Sequence, residues 1–263
     1  MDLGIRGRRA VVGGASSGLG RAIAEQLAAE GCSLVLTARR TAILNELAAD
    51  LRARHGVDVH VVSADLTDPA APATVAAAAL EALGGVDILV LNAGGPAPVD
   101  ATATTPEGWA TALQLLAVGP IDLATRLLPG MRERGWGRIV AVGSYAVRQP
   151  IAELVYTNSG RSALMAWLKT VSRIVAADGV TVNAALPGRH ATARIDQLDR
   201  LTAERTGQSI AEVRAAHIAT IPAGRYGRPE EFASYVTYLC SEPAGYVNGT
   251  FTLVDGGLVS GLP

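Results

Sequence analysis

The chain predicts a single doubly wound α/β domain, a parallel sheet of about seven strands with helices on both faces. Three observations predict it. Short apolar runs alternate with longer amphipathic ones from the first residues, the pattern of strands joined by helical crossovers. The length, 263 residues, fits one such domain. Hydrophobic residues make up 49% and mean hydropathy is +0.26, enough apolar surface for a sheet covered on both faces. No repeat, low-complexity linker or change of composition divides the chain, so residues 1–263 read as one domain.

The elements follow in order. Arg9 to Gly13 is a short strand, and Gly18 to Glu30 is a helix with Leu19, Ile23 and Leu27 on one face, stopped by Gly31. Ser33 to Thr37 is a second strand, followed by a helix from Thr41 to Arg54. Val57 to Val62 is a third, ending at Asp65. The alanine-rich run Ala70 to Leu83 is the next helix, with Asp68 as its expected cap and Pro69 at its first position. Val86 to Leu91 is the fourth strand, and Thr105-Pro106-Glu107 opens a long helix to about Arg134. Arg138 to Gly143 is the fifth strand, Ser162 to Ala177 a helix, and Val180 to Ala184 the sixth strand. After Pro187-Gly188 the alternation breaks: residues 189–221 are polar and helix-prone, an insertion beyond a strand's carboxyl end that reads as a substrate lid. A helix from Arg228 to Ser241 and a strand from Thr250 to Val254 complete the chain.

Composition excludes several classes of function. Net charge is −1 and the isoelectric point is near 6.4, so no nucleic-acid or anionic-membrane partner is expected. No stretch of about 20 residues is apolar enough to suggest a membrane span, and the first residues lack a signal peptide's apolar core; a soluble cytoplasmic protein is expected. Cys32 and Cys240 have no metal-like spacing, and His55, His60 and His217 are dispersed, so no metal is expected. His190 reads as a polar lid residue. Basic charge is almost all arginine, Lys169 being the sole lysine.

Between the first strand and first helix lies Gly13-Gly14-Ala15-Ser16-Ser17-Gly18-Leu19-Gly20. Glycines at 14, 18 and 20 let the backbone turn sharply and approach a pyrophosphate, for which the helix N-terminus supplies N–H donors and a positive dipole. This G-x-x-x-G-x-G spacing resembles that of the short-chain dehydrogenase/reductase family, with Gly13 where a threonine is usual. The resemblance runs along nearly the whole chain. Asn92-Ala93-Gly94 is similar to the family's N-N-A-G, Asp65-Leu66 to its adenine-contacting pair, Pro187-Gly188 to its nicotinamide-side turn, and Val254-Asp255-Gly256-Gly257 to its C-terminal signature. It implies a Rossmann fold with Gly14, Ser16, Ser17, Gly18, Leu19, Gly20, Asp65, Leu66, Asn92, Ala93, Gly94, Pro187 and Gly188 around a nicotinamide cofactor. The second strand ends in Thr37-Ala38-Arg39-Arg40 without the carboxylate that bonds ribose hydroxyls in NAD enzymes. Arg39 and Arg40 suit a 2′-phosphate, so NADP(H) is expected over NAD(H).

The resemblance also implies a catalytic serine, a tyrosine and lysine in Y-x-x-x-K, and a supporting asparagine. Ser144 fits the serine. Counting back from Val182-Asn183 puts Thr157 on the tyrosine place and Arg161 on the lysine place, where Arg161 would also hold the cofactor's ribose; aligning Trp109 and Gly119 puts Leu116 on the asparagine place. Putting Tyr156 in the tyrosine place instead leaves Gly160 for the lysine. Lys169 lies two turns past Arg161 and cannot substitute. A threonine is no useful acid at neutral pH, so the expected proton donor is Tyr156 or a water, with Tyr145 a second phenol. The resemblance implies a reductase of the 3-oxoacyl-(acyl-carrier-protein) reductase kind acting on a ketone or secondary alcohol, with Ser144, Tyr156, Thr157 and Arg161 as candidate catalytic residues. The altered motif keeps two alternatives open: a catalytically impaired NADP(H)-binding protein, or a non-redox enzyme in the same pocket. The resemblance further implies a homotetramer or homodimer.

Overall fold

The computed structural model describes residues 1–261. Seven parallel strands form one sheet in the order β3-β2-β1-β4-β5-β6-β7. They are β1 (Arg9–Gly13), β2 (Ser33–Ala38), β3 (Val59–Ser63), β4 (Ile88–Leu91), β5 (Gly137–Val142), β6 (Val180–Pro187) and β7 (Phe251–Val254). The order reverses between β1 and β4, so the crevice at their carboxyl ends is where a doubly wound sheet binds its ligand. Strands β1, β4 and β5 are almost wholly buried apolar runs, as a sheet covered on both faces requires.

One face carries α1 (Gly18–Ala29), α2 (Thr41–His55) and α9 (Pro229–Leu239), closed by Ile23, Leu27, Leu44, Leu51 and Phe232. The other carries α3 (Ala71–Leu83), the segment made of α4 (Pro106–Leu113) and α5 (Gly119–Glu133), and α6 (Val155–Val175). The lid holds α7 (Ala193–Thr206) and α8 (Ile210–Ala219). At the amino ends of the strands Asp87, 3% exposed, accepts from Arg9 Nη2 at 2.7 Å and Arg134 Nε at 3.1 Å. This ties β1, β4 and the end of α5 together, opposite the crevice.

The structure differs from the expected elements in three places. The long helix is α-helical only at its ends; Gln114–Val118 forms a π turn, the bulge that accommodates one extra residue per turn. Asp68 does not cap α3: its carboxylate accepts from the N–H of Ala70, and the helix begins beyond it at Ala71 with Pro72 in the first turn. Helix α6 begins at Val155, seven residues before the expected Ser162, and this shift decides the geometry of the site. Pro106–Glu133 has the length and mean hydropathy of a membrane span, 28 residues at 1.2, yet its apolar side packs on α3 and α6 as a core helix does.

Candidate active site

The glycine loop is held by a side chain from β4's end. Asn92 Nδ2 donates to Gly13 O at 3.0 Å and would meet a Cβ on Gly14 or Gly20 at 2.6 Å. Gly14 and Gly18 have φ of +59° and +56°, which L side chains rarely adopt. Ser17 precedes α1 without a side-chain cap bond, and no acidic residue stands in the first turn. The helix therefore keeps its amino-terminal N–H donors for an anion. Thr192 of the lid closes over this loop, its Cγ2 3.4 Å from the place of a Gly18 Cβ. A cleft of about 270 Å3 runs between Gly18, Arg21, Ala22 and Thr192.

Arg40 lies against the same loop. Its Nη2 donates to Ser16 Oγ at 2.9 Å and Ser17 Oγ at 2.6 Å. Arg39 is three-quarters exposed, with Nη1 3.8 Å from Asp65 Oδ2, while Asp65 Oδ1 accepts from Thr67 N at 3.0 Å. Leu66 follows Asp65 at the mouth of β3, its carbonyl close to Gly119. Leu19 sits partly buried on the apolar core under α1. Gly188 has no room for a Cβ, which would fall 2.6 Å from that of Asp255. Pro187 ends β6 beside Val254. The glycine cradle, the free helix N–H groups and the guanidinium fixed beside two hydroxyls fit the adenosine-phosphate half of a nicotinamide dinucleotide.

Ser144 stands at the carboxyl end of β5. Its Oγ accepts from Ala146 N at 3.1 Å, leaving the hydroxyl proton free to donate. Arg161, 8% exposed, donates through Nη1 to Val142 O and through Nη2 to Ala93 O at 3.0 Å, while its Nε has no partner. Burial, helped by the charge of Arg194, lowers its pKa to about 10. Its guanidinium thus bridges the ends of β4 and β5 and stays charged at neutral pH. Thr157, 7% exposed, sits one turn earlier on α6, its Oγ1 3.4 Å from the place of a Gly95 Cβ.

The phenol of Tyr156 is placed elsewhere. Because α6 starts at Val155, Tyr156 lies on a formed helical turn, about 100° around the axis from Thr157. Its hydroxyl accepts from Thr105 N at 3.1 Å, and its ring meets Trp109 edge to face at 4.8 Å and 85°. The backbone slack that would bring it toward Ser144 is absent. Gly160 presses on the π turn: a Cβ there would lie 3.0 Å from that of Leu116, so this place admits no lysine. Tyr145 neighbours Arg189, and burial raises its pKa against the pull of that cation. Lys169 donates to Gly249 O at 2.8 Å and serves the strand β7 connection.

Sequence reasoning missed two lid groups. Arg194 of α7 donates to Pro96 O at 2.6 Å and Gln197 Oε1 at 3.1 Å, beside Arg161 and Thr157. The signal was available: a cation in a helix's first turn opposes the dipole, and residues 197 and 198, three and four along, carry no carboxylate. Asp199, fully buried, gathers His217 Nδ1 at 2.9 Å, Tyr226 OH at 3.0 Å and Arg189 Nη1 at 3.5 Å, and so pins α7 to α8. His190 is 4% exposed and meets Phe232 edge to face at 5.3 Å, packing the lid's root rather than facing the pocket. Among the described residues no cluster of metal-ligating side chains occurs.

A family model described as enoyl-(acyl carrier protein) reductase matches residues 14–259. The chain is 32% identical to the 3-oxoacyl-(acyl-carrier-protein) reductase of Vibrio cholerae over 257 residues, 97% of this chain and 99% of that one. Its fold superposes on the L-sorbose reductase of Gluconobacter frateurii, solved with NADPH and L-sorbose, with TM-score 0.94, 35% identity and full coverage of both chains. A 3-oxoacyl (acyl-carrier-protein) reductase of Agrobacterium tumefaciens with NADP bound gives TM-score 0.87 and 29% identity, covering 97% of this chain and 95% of that one.

Proposed function

The chain belongs to the short-chain dehydrogenase/reductase family of oxidoreductases, and within it we propose an NADPH-dependent reductase of a ketone, with the reverse oxidation of a secondary alcohol. The observation that carries this reading is Arg40 clamped to Ser16 and Ser17 beside an uncapped helix, with Ser144 and Arg161 at the adjacent strand ends. The relatives solved with NADPH or NADP support the cofactor.

The bound nicotinamide would supply a hydride to the carbonyl carbon. Gly14 to Gly20 and Asn92 would hold the pyrophosphate, Arg40 with Arg39 would meet the 2′-phosphate, Asp65 and Leu66 would flank the adenine, and Ala93, Gly94, Pro187 and Gly188 would line the nicotinamide side. Ser144 donates its free hydroxyl proton to the carbonyl oxygen in a hydrogen bond and orients it. As negative charge develops on that oxygen, Arg161 stabilises it at short range in a largely desolvated setting. Arg161 would also hold the nicotinamide ribose from the family's lysine place. Tyr156 is turned toward Thr105 and Trp109, so a water delivers the proton, with Thr157 a hydroxyl that orders it. The exposed apolar residues Val118 and Ile174, on the helices through which the family dimerises, fit a homodimer or homotetramer of a soluble cytoplasmic protein.

Fluorescence titration tests the cofactor. NADPH binds at least tenfold tighter than NADH, and Arg40→Ala weakens NADPH by about 10- to 100-fold, the worth of one charge-assisted contact of about 1.5–3 kcal/mol, while NADH changes less than twofold. Equal binding of the two cofactors by the parent would end this reading.

A further inference from the structure

Two guanidiniums at the site have no acidic partner. Arg161 is buried with its Nε unpaired, and burial lowers the pKa of Arg161 and of Arg194 with no carboxylate acting against it. Several other arginines find carboxylates, Arg9 and Arg134 with Asp87, Arg214 with Asp196 and Arg225 with Glu231, while the buried Arg138 is held by backbone carbonyls and the Trp136 ring. Backbone carbonyls offset part of the cost of withdrawing these cations from water, and a ligand's anion would offset more of it.

The arrangement also has a shape. Arg161 Nη2 donates to Ala93 O and Arg194 Nη2 to Pro96 O, so the two cations hold the two ends of one four-residue segment after β4. Between them a Cβ on Gly94 would meet nothing within 4 Å, and one on Gly95 would touch Thr157 Oγ1 at 3.4 Å and Arg194 Nη2 at 3.6 Å. Open space, a hydroxyl and two cations therefore border the segment from Ala93 to Pro96. Arg161 comes from the rigid helix α6 and Arg194 from the lid, so an anion between them would tie the lid to the body of the protein.

We infer that the substrate is an oxo acid, its carboxylate received by Arg194 with Thr157 beside it and Arg161 supplying positive field behind. Each Nη atom already gives one N–H to a backbone carbonyl or to Gln197, and the other N–H groups of the two guanidiniums remain to meet a carboxylate. The inference rests on the proposed reductase reading for the position of the carbonyl, and the test below separates the two.

With the protein saturated by NADPH, thermal protection is measured for 2-oxobutanoate, acetoacetate and levulinate, and for the uncharged 2-pentanone. At least one oxo acid binds tenfold or more tightly than 2-pentanone; Arg194→Met removes that preference, Arg194→Lys restores part of it, and both keep the parent's affinity for NADPH within twofold. No preference for any acid in the parent overturns the inference. So does Arg194→Met retaining the preference, or weakening NADPH tenfold while the acid preference persists, which would assign Arg194 to a cofactor phosphate. Acid binding without NADPH oxidation leaves the anion site standing and removes the reductase reading. Oxidation with 2-pentanone alone does the reverse.

Discussion

Tyr156→Phe separates a packing phenol from a catalytic one. The substitution removes one hydroxyl and keeps the ring, so the edge-on contact with Trp109 at 4.8 Å persists. What is lost is the acceptor for Thr105 N at 3.1 Å, in a side chain 9% exposed. A net hydrogen bond of this kind contributes about 0.5–1.5 kcal/mol, and the Thr105 N–H left behind sits at a helix start with some access to water, which places the loss near 1 kcal/mol. For a chain of this size that lowers Tm by about 2–4 °C. A general acid, by contrast, contributes about 100- to 10,000-fold to rate. Chemical denaturation and NADPH-consumption kinetics, run on the same preparation, read both quantities. The geometry predicts the small stability loss with kcat within twofold of the parent. A 100-fold fall in kcat with unchanged stability would refute the reasoning and return the proton to Tyr156.

Two further outcomes test the frame of the site. Gly160→Ala gains up to about 1 kcal/mol of helix propensity but drives a Cβ to 3.0 Å from Leu116, and overpacking of about 1–3 kcal/mol prevails, so the denaturation midpoint falls. Asp87→Asn costs about 2 kcal/mol at neutral pH, discounted because Arg9 and Arg134 are partly exposed. Burial pushes the Asp87 carboxyl upward, but bonds from Arg9 and the charges of Arg9 and Arg134 outweigh it and hold the pKa low. The parent therefore holds this stability above the ordinary aspartate pKa of about 3.9 and loses it as pH falls through the lower folded value; the variant shows a flatter acid limb in a pH series of melts.

The seven strands were legible because a sheet covered on both faces writes itself as apolar runs, and β1, β4, β5 and β6 are nearly wholly buried. The glycine loop was legible because its φ values and close approaches leave few other residues possible. The start of α6 was not. Val155 to Arg161 contains Thr, Asn, Ser and Gly, weak helix formers that local pattern assigns to a loop. Tertiary contacts override them: Tyr156 on Trp109, Gly160 on Leu116 and Asn158 bonding Ile151. Register counting from Asn183 puts Thr157 and Arg161 on the tyrosine and lysine places, and both side chains are buried, as is Tyr156. Arg194 escaped because its partners are a distant backbone carbonyl and a glutamine three residues on, a pairing less conspicuous in the chain than an arginine beside a carboxylate.

The central claim is that Ser144 and Arg161 carry hydride transfer from NADPH to a carbonyl without a tyrosine at Thr157's place. Mass spectrometry of the product formed with NADPH deuterated at nicotinamide C4, across oxo acids and ketones, measures it directly. One deuterium appears in the alcohol with the parent and with Tyr156→Phe, and its rate of appearance falls about 100- to 1,000-fold with Ser144→Ala, the cost of removing one donor to a developing oxyanion. NADPH bound tightly with no deuterium passed to any carbonyl would contradict the account and leave a cofactor-binding protein on this fold.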